Sequence, residues 1–144
     1  MINPAEMQPN WSVRPIHELI RHIVLEYHDC LRLELPHLER KLSTPAPGLR
    51  PFCQALEAAL NREEELLFPA IRRMQAGNMN NLRSLITEEI HENERLAHLF
   101  ADLQNHLPVD LNRLVIDHIR LENEVLFPRA LEQLKPGEQA NVVK

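Results

Sequence analysis

The amino-acid sequence predicts an all-α, up-down antiparallel four-helix bundle. Three observations predict it. Apolar residues recur at helical spacing over four long stretches. Short breaks rich in Pro, Gly and Asn separate those stretches. Runs of Val, Ile and Thr that would make strands are missing, and there are only 3 glycines.

The elements follow in order. Ser12 is placed to cap a first helix, with Pro15 in its first turn, where a missing N–H costs nothing. That helix is expected to run to about Lys41, and Ser43-Thr-Pro-Ala-Pro-Gly48 breaks the pattern. Pro51 restarts a second helix that reaches about Gln75, with Gly77-Asn78 as C-cap and turn. A third helix is expected from about Asn80 to Asn105. His106-Leu-Pro108 separates it from a fourth, about Val109 to Leu134, which Pro136-Gly137 ends. Short connections between long helices make sequential neighbours antiparallel. Pro36, Pro69 and Pro128 fall inside or near the ends of these helices and are expected to kink or end them. The expected division is a tail over 1–11, a bundle over 12–135 and a tail over 136–144.

Composition narrows the class. A chain of 144 residues with 44% hydrophobic and 26% charged residues fits one folded domain and excludes a disordered or membrane-embedded chain. No apolar run approaches the ~20 residues of a membrane span, so no membrane partner is expected. Met1 to Asn10 lack a basic region followed by an apolar one, so no secretory signal is expected. A net charge of -5 with interleaved signs disfavours nucleic acid. Cys30 and Cys53 stand alone, which fits a reduced, cytoplasmic setting.

Polar groups stand where the helical wheel asks for apolar ones. Each residue advances about 100° around a helix. On the fourth helix Leu111, Leu114, Val115, Leu121, Val125 and Leu126 form one stripe, with His118 and Glu122 at its middle. On the second, Phe52, Leu56, Leu60, Leu66, Leu67 and Ala70 form a stripe centred on Glu63. A buried carboxylate must be paired, protonated or metal-bound. By the same argument Glu122→Leu is expected to stabilise a metal-free protein. Carboxylate oxygen and neutral imidazole nitrogen are donors that iron, manganese and zinc accept. His118 and Glu122, one turn apart, point at one ion. The first helix adds His28 near the edge of its stripe, with Tyr27 deeper inside, as packing or as a hydrogen-bond donor to a ligand. On the third helix Leu82, Leu85, Ile86, Leu96, Phe100 and Leu103 form the stripe, with Glu89 and Asn93 at its centre. His91 lies on roughly the opposite face and reaches inward only if that helix is overwound or bulged. Either Glu89 or His91 is a fifth ligand candidate beside His28, Glu63, His118 and Glu122.

The second and fourth helices repeat each other. Glu63-Glu-Glu-Leu-Leu-Phe-Pro69 aligns with Glu122-Asn-Glu-Val-Leu-Phe-Pro128, and His118 then corresponds to Ala59. A symmetric two-metal site would want histidine at both places.

His22-Ile-Val-Leu-Glu-Tyr-His28, Glu63-Glu-x-x-Leu-Phe-Pro69 and above all Asp117-His-Ile-Arg-Leu-Glu-Asn-Glu-Val-Leu-Phe-Pro-Arg-Ala130 resemble the hemerythrin-like (HHE cation-binding) domain. The resemblance spans about Leu19 to Leu131 and is strongest to the di-iron domain of the repair-of-iron-centres proteins. It implies a hemerythrin-like bundle holding two non-haem irons, with Glu63 and Glu122 as bridges, His28 and His118 as terminal ligands, and a stress-response role. The sequence departs from that pattern. Ala59 replaces a family histidine, and the interhelical histidine has no counterpart over Ser43 to Leu49. The third-helix Glu-His pair aligns with Ile90-His91 or, by apolar register, Glu92-Asn93. The Cys-containing N-terminal domain of repair-type members has no counterpart before Ser12.

The remaining donors suit one iron with open positions, two if Glu89 takes part, or none if His and Glu only pair with each other. Two functions follow: a non-haem iron protein that binds O2 or NO or repairs iron centres, or a metal-free bundle with an interaction or structural role. No nucleophile signature accompanies His118 and Glu122, so no catalytic residue is assigned. Leu25 and Leu33, outside the stripes, mark a candidate homodimer face.

Overall fold

The computed structural model describes residues 9–41, 48–75 and 81–134, and these form four long helices with connecting turns. The helices are α1 (residues 16–41), α2 (residues 49–75), α3 (Leu82–Ala101) and α4 (residues 109–134). The expected signals at Gly77-Asn78 and Pro136-Gly137, residues 43–47 of the first break, and most of both tails lie outside the described residues.

Local chemistry sets the starts. α1 begins at Ile16, later than Ser12 suggested, because Pro15 is its N-cap residue and Ser12 donates its N–H to Asn10 Oδ1 in a preceding turn. α2 begins at Leu49, ahead of Pro51, because Gly48 adopts a φ of 85° that only glycine reaches without strain. Pro51 then occupies the first turn. A 3₁₀ turn at Gln104–His106 and Pro108 separate α3 from α4.

Packing fixes the topology as an up-down bundle. The start of α1 lies against the end of α4, and the end of α1 lies against the starts of α2 and α4. α3 packs between α2 and α4. The apolar core divides in two. One cluster joins Ile16, Leu19 and Ile20 to Phe68, Ile71, Ile86, Phe127 and Ala130 at one end. The other joins Leu31 and Leu35 to Phe52, Leu56, Leu96, Phe100 and Val115 at the opposite end. Between them lies a buried polar layer: His28, Glu63, Glu89, Asn93, His118 and Glu122.

Three helices contain a wide π turn, and all three turns touch that layer. They span Ile23–His28 in α1, Glu63–Leu67 in α2 and Glu122–Leu126 in α4. Each is closed by an N–H reaching five residues back: Asp29 to Val24, Phe68 to Glu63, and Phe127 to Glu122. The last two turns directly precede Phe68-Pro69 and Phe127-Pro128. Proline cannot donate, and its ring crowds the carbonyl four residues back. A widened turn just ahead lets the helix run on. Pro69 and Pro128 therefore do not end their helices, and Pro36 also lies within α1.

Each wide turn also slips the inward register by about one residue. Leu66, placed in the apolar stripe by regular geometry, is 45% exposed, whereas Leu67 is 2% exposed and Phe68 and Ile71 are buried. Leu67→Ala is expected to cost about 2–5 kcal/mol in urea unfolding. Leu66→Ala is expected to stay within about 0.5 kcal/mol. Equal losses would contradict the wide turn.

Candidate metal centre

The wide turns deliver three of the polar side chains. His28 closes the turn in α1, while Glu63 and Glu122 open those in α2 and α4. His118 lies one regular turn before Glu122. All four are 0% exposed. They offer donor atoms that lie within 4.8 Å of one another, and they form the one such grouping among the described residues. That span is close to twice a metal–ligand bond of about 2.1 Å.

The contacts converge on one point. The His28 and His118 Nε2 atoms are 3.2 Å apart. Glu122 Oε2 lies 3.0 Å from His118 Nε2 and 3.4 Å from His28 Nε2. Glu63 Oε1 lies 3.1 Å from His28 Nε2 and 3.8 Å from His118 Nε2. These Glu63 contacts have ion-pair distance without hydrogen-bond geometry, so both Glu63 oxygens are buried with no hydrogen-bond partner. Two imidazole nitrogens that close, ringed by carboxylate oxygens, need a shared cation: a proton or a metal ion.

Neighbouring residues aim these donors. His28 Nδ1 lies 2.6 Å from Glu64 Oε2, and Arg32 donates to the same oxygen at 2.6 Å and to Asn61 Oδ1 at 2.9 Å. A proton on Nδ1 leaves the His28 Nε2 lone pair facing the centre. The His28 ring also stacks on Phe68 at 5.7 Å. Asn93 donates its amide to Glu122 Oε1 at 2.9 Å, fixing the carboxylate so that Oε2 faces the histidines. The Tyr27 ring lies 6.4 Å from that of His118 and 5.6 Å from His22, a packing role at the edge of the layer.

The two carboxylates differ. Burial alone would raise the Glu122 pKa, but the charge and hydrogen bond of His118 hold it far below its usual range. Burial, then the charge of Glu122, pushes Glu63 up to about 8. The expected benefit of Glu122→Leu is therefore corrected. That change would strip Asn93, His118 and His28 of a partner, which is the costly way to break a buried network.

The third helix is regular, and this decides its two candidates. His91 is exposed on a surface groove with Arg62, Glu88 and Arg95, outside the cluster of converging donors. No bulge in α3 turns it inward. Glu89 is 2% exposed but faces Arg62, which donates to it through Nε at 2.9 Å and through a terminal nitrogen at 3.3 Å. Ala59 lines the interior where the repeat would place a histidine. Sequence reading missed Glu64, Arg32 and Arg62, which lie at stripe edges where charged residues are ordinary. Cys30 and Cys53 are free thiols at the boundary, and burial, then Glu39, pushes Cys53 up to about 12, leaving it protonated. No helix among the described residues is long and apolar enough to cross a membrane.

Comparison with known proteins bears on this geometry. The hemerythrin HHE cation binding domain matches residues 13–130. The chain is 31% identical over 156 residues to proteins named iron-sulfur cluster repair protein YtfE from Escherichia coli and from Shigella boydii serotype 18. Each match covers 87% of this chain and 70% of the relative.

The pH dependence of metal-free stability follows from the same contacts. Burial would lower the imidazole pKa values, but Glu122 and Glu63 raise them from 6.5 to about 9 for His28 and about 10 for His118. Their contribution is complete below pH 6.5 and is lost as pH rises through those values. Glu63, raised from 4.5, adds a loss in the same direction up to about pH 8. Glu122, held low, contributes stability above pH 4.5 and loses it only in acid. The calorimetric midpoint of chelator-treated protein is expected to fall between about pH 6 and about pH 10. A flat or rising midpoint would contradict the cluster.

Proposed function

The chain belongs to the hemerythrin HHE cation binding domain family, and on that premise we propose that it is a non-haem iron protein serving iron–sulfur cluster repair. His28, Glu63, His118 and Glu122 hold the ion. The observation that carries this reading is Glu63: a carboxylate from which water is excluded, with neither oxygen hydrogen-bonded, beside two imidazole nitrogens and a second carboxylate. Such a group is a standing cost in a metal-free scaffold and a ligand in a loaded one. Two histidines with carboxylates suit a divalent first-row metal.

Iron bound there supplies coordination positions for a small ligand such as O2 or NO, and an ion that can be handed to a damaged cluster. The protein residues do the rest. Glu64 and Arg32 hold the His28 tautomer. Asn93 holds Glu122. The apolar clusters on both sides exclude bulk water, which keeps the electrostatics of the donor set strong. Binding displaces the protons the imidazoles and Glu63 carry in the metal-free state, so affinity rises with pH.

Elemental analysis of protein purified with iron supplied is expected to find at least one iron per chain, against less than about a tenth for His118→Ala, since losing a ligand typically removes most affinity. Iron-free wild type, unchanged by that substitution, would sink the reading. Glu63→Leu is expected to stabilise the metal-free protein by about 1–3 kcal/mol, by removing a buried carboxyl group whose oxygens have no hydrogen-bond partner. The same variant should lose the rise in melting temperature that Fe(II) gives the wild type. A variant that is less stable when metal-free, yet keeps that rise, would take Glu63 out of the site.

A further inference from the structure

We infer that the centre takes a single divalent ion, and that the Arg62 guanidinium is the fixed cation standing where a second ion would need its ligands. This rests on the iron-site reading above.

The donors point to one ion. A second would need carboxylate oxygens and an imidazole of its own. Glu122 Oε1 is engaged by the Asn93 amide, so that carboxylate offers its other oxygen alone to the histidines. Ala59 occupies the place that the α2/α4 repeat assigns to a second inward histidine, one turn before Glu63. His91 faces solvent. Glu89 is the one further buried carboxylate among the described residues, and both its oxygens accept from Arg62.

Charge gives the same answer by an independent route. The layer holds three buried carboxylates, Glu63, Glu89 and Glu122. Arg62 neutralises Glu89 and also lies within the field of Glu63. One divalent ion neutralises Glu63 and Glu122, with neutral imidazoles completing the set. A second divalent ion would leave the layer doubly positive and shut away from water, at a cost no remaining group offsets. Arg62 cannot lose its proton to relieve that excess. It reaches Glu89 from the groove shared with Ala58, His91 and Arg95, so the guanidinium enters from the surface and needs no cavity of its own.

The test is a count. Full-length protein, stripped with chelator, is dialysed anaerobically against Fe(II) and its bound iron measured. One iron per chain is expected. Two would overturn the single-ion inference and leave the iron-site reading standing, whereas none would overturn both. Ala59→His combined with Arg62→Gln supplies an imidazole and frees Glu89. With helix content checked by circular dichroism, that variant is expected to bind two. A variant that folds and still binds one would overturn the role given to Arg62. Glu89→Gln in the wild-type background keeps the inference exposed if the double variant does not fold. It is expected to keep one iron with affinity changed less than twofold, and loss of that iron would overturn the inference by making Glu89 a ligand.

Discussion

The buried cluster of two carboxylates and two imidazoles within the polar layer is the constraint on which the rest of this bundle turns. His28, Glu63, His118 and Glu122 come from three helices and meet with their donor atoms within 4.8 Å. Water is excluded, so the charge can be met only from within or by an ion. The surroundings are arranged accordingly. Glu64 and Arg32 serve His28, Asn93 serves Glu122, and Arg62 serves Glu89. Glu63 is left with neither oxygen hydrogen-bonded, and His118 Nδ1 is likewise without a partner. Those unmet groups support the reading of the cluster as an ion site, since a closed network of ion pairs would satisfy all its members.

Much of this was legible in the sequence. The Leu111, Val115 and Leu126 stripe on α4 placed His118 and Glu122 inside, and Glu63 followed from its own stripe and from the internal repeat. Asn93 and Glu89 were visible because a regular helix keeps its period, and α3 is regular. What the period could not show was the set of π turns. A wheel drawn at about 100° per residue puts Leu66 in the core and His28 at its edge. The structure exposes Leu66 and buries His28. The local signal was the Phe-Pro pair that follows two of the turns. Proline suggested an ending, and the helix instead widened ahead of it.

Charged residues at stripe edges were the other blind spot. Arg32, Arg62 and Glu64 read as ordinary solvated positions because periodicity sorts apolar from polar and says nothing of which polar group reaches inward. Their roles depend on side-chain reach across a helix pair, from Arg32 on α1 to Glu64 on α2 and from Arg62 on α2 to Glu89 on α3. The same limit explains why Glu89 looked like a ligand: its burial was readable, its partner was not. α3 thus contributes supports, while the donors come from the other three helices.

The apolar core is interrupted at mid-height, with one hydrophobic cluster below the polar waist and another above it. Each cluster draws on all four helices, so each ties the rods together by itself, as two hoops bind a barrel. The groups buried at the waist are ones that water solvates readily, so this layer is where the interior is least held by apolar contact. An ion held there, as proposed above, would fill or empty the site by opening that layer alone, with both hoops closed and the fold intact.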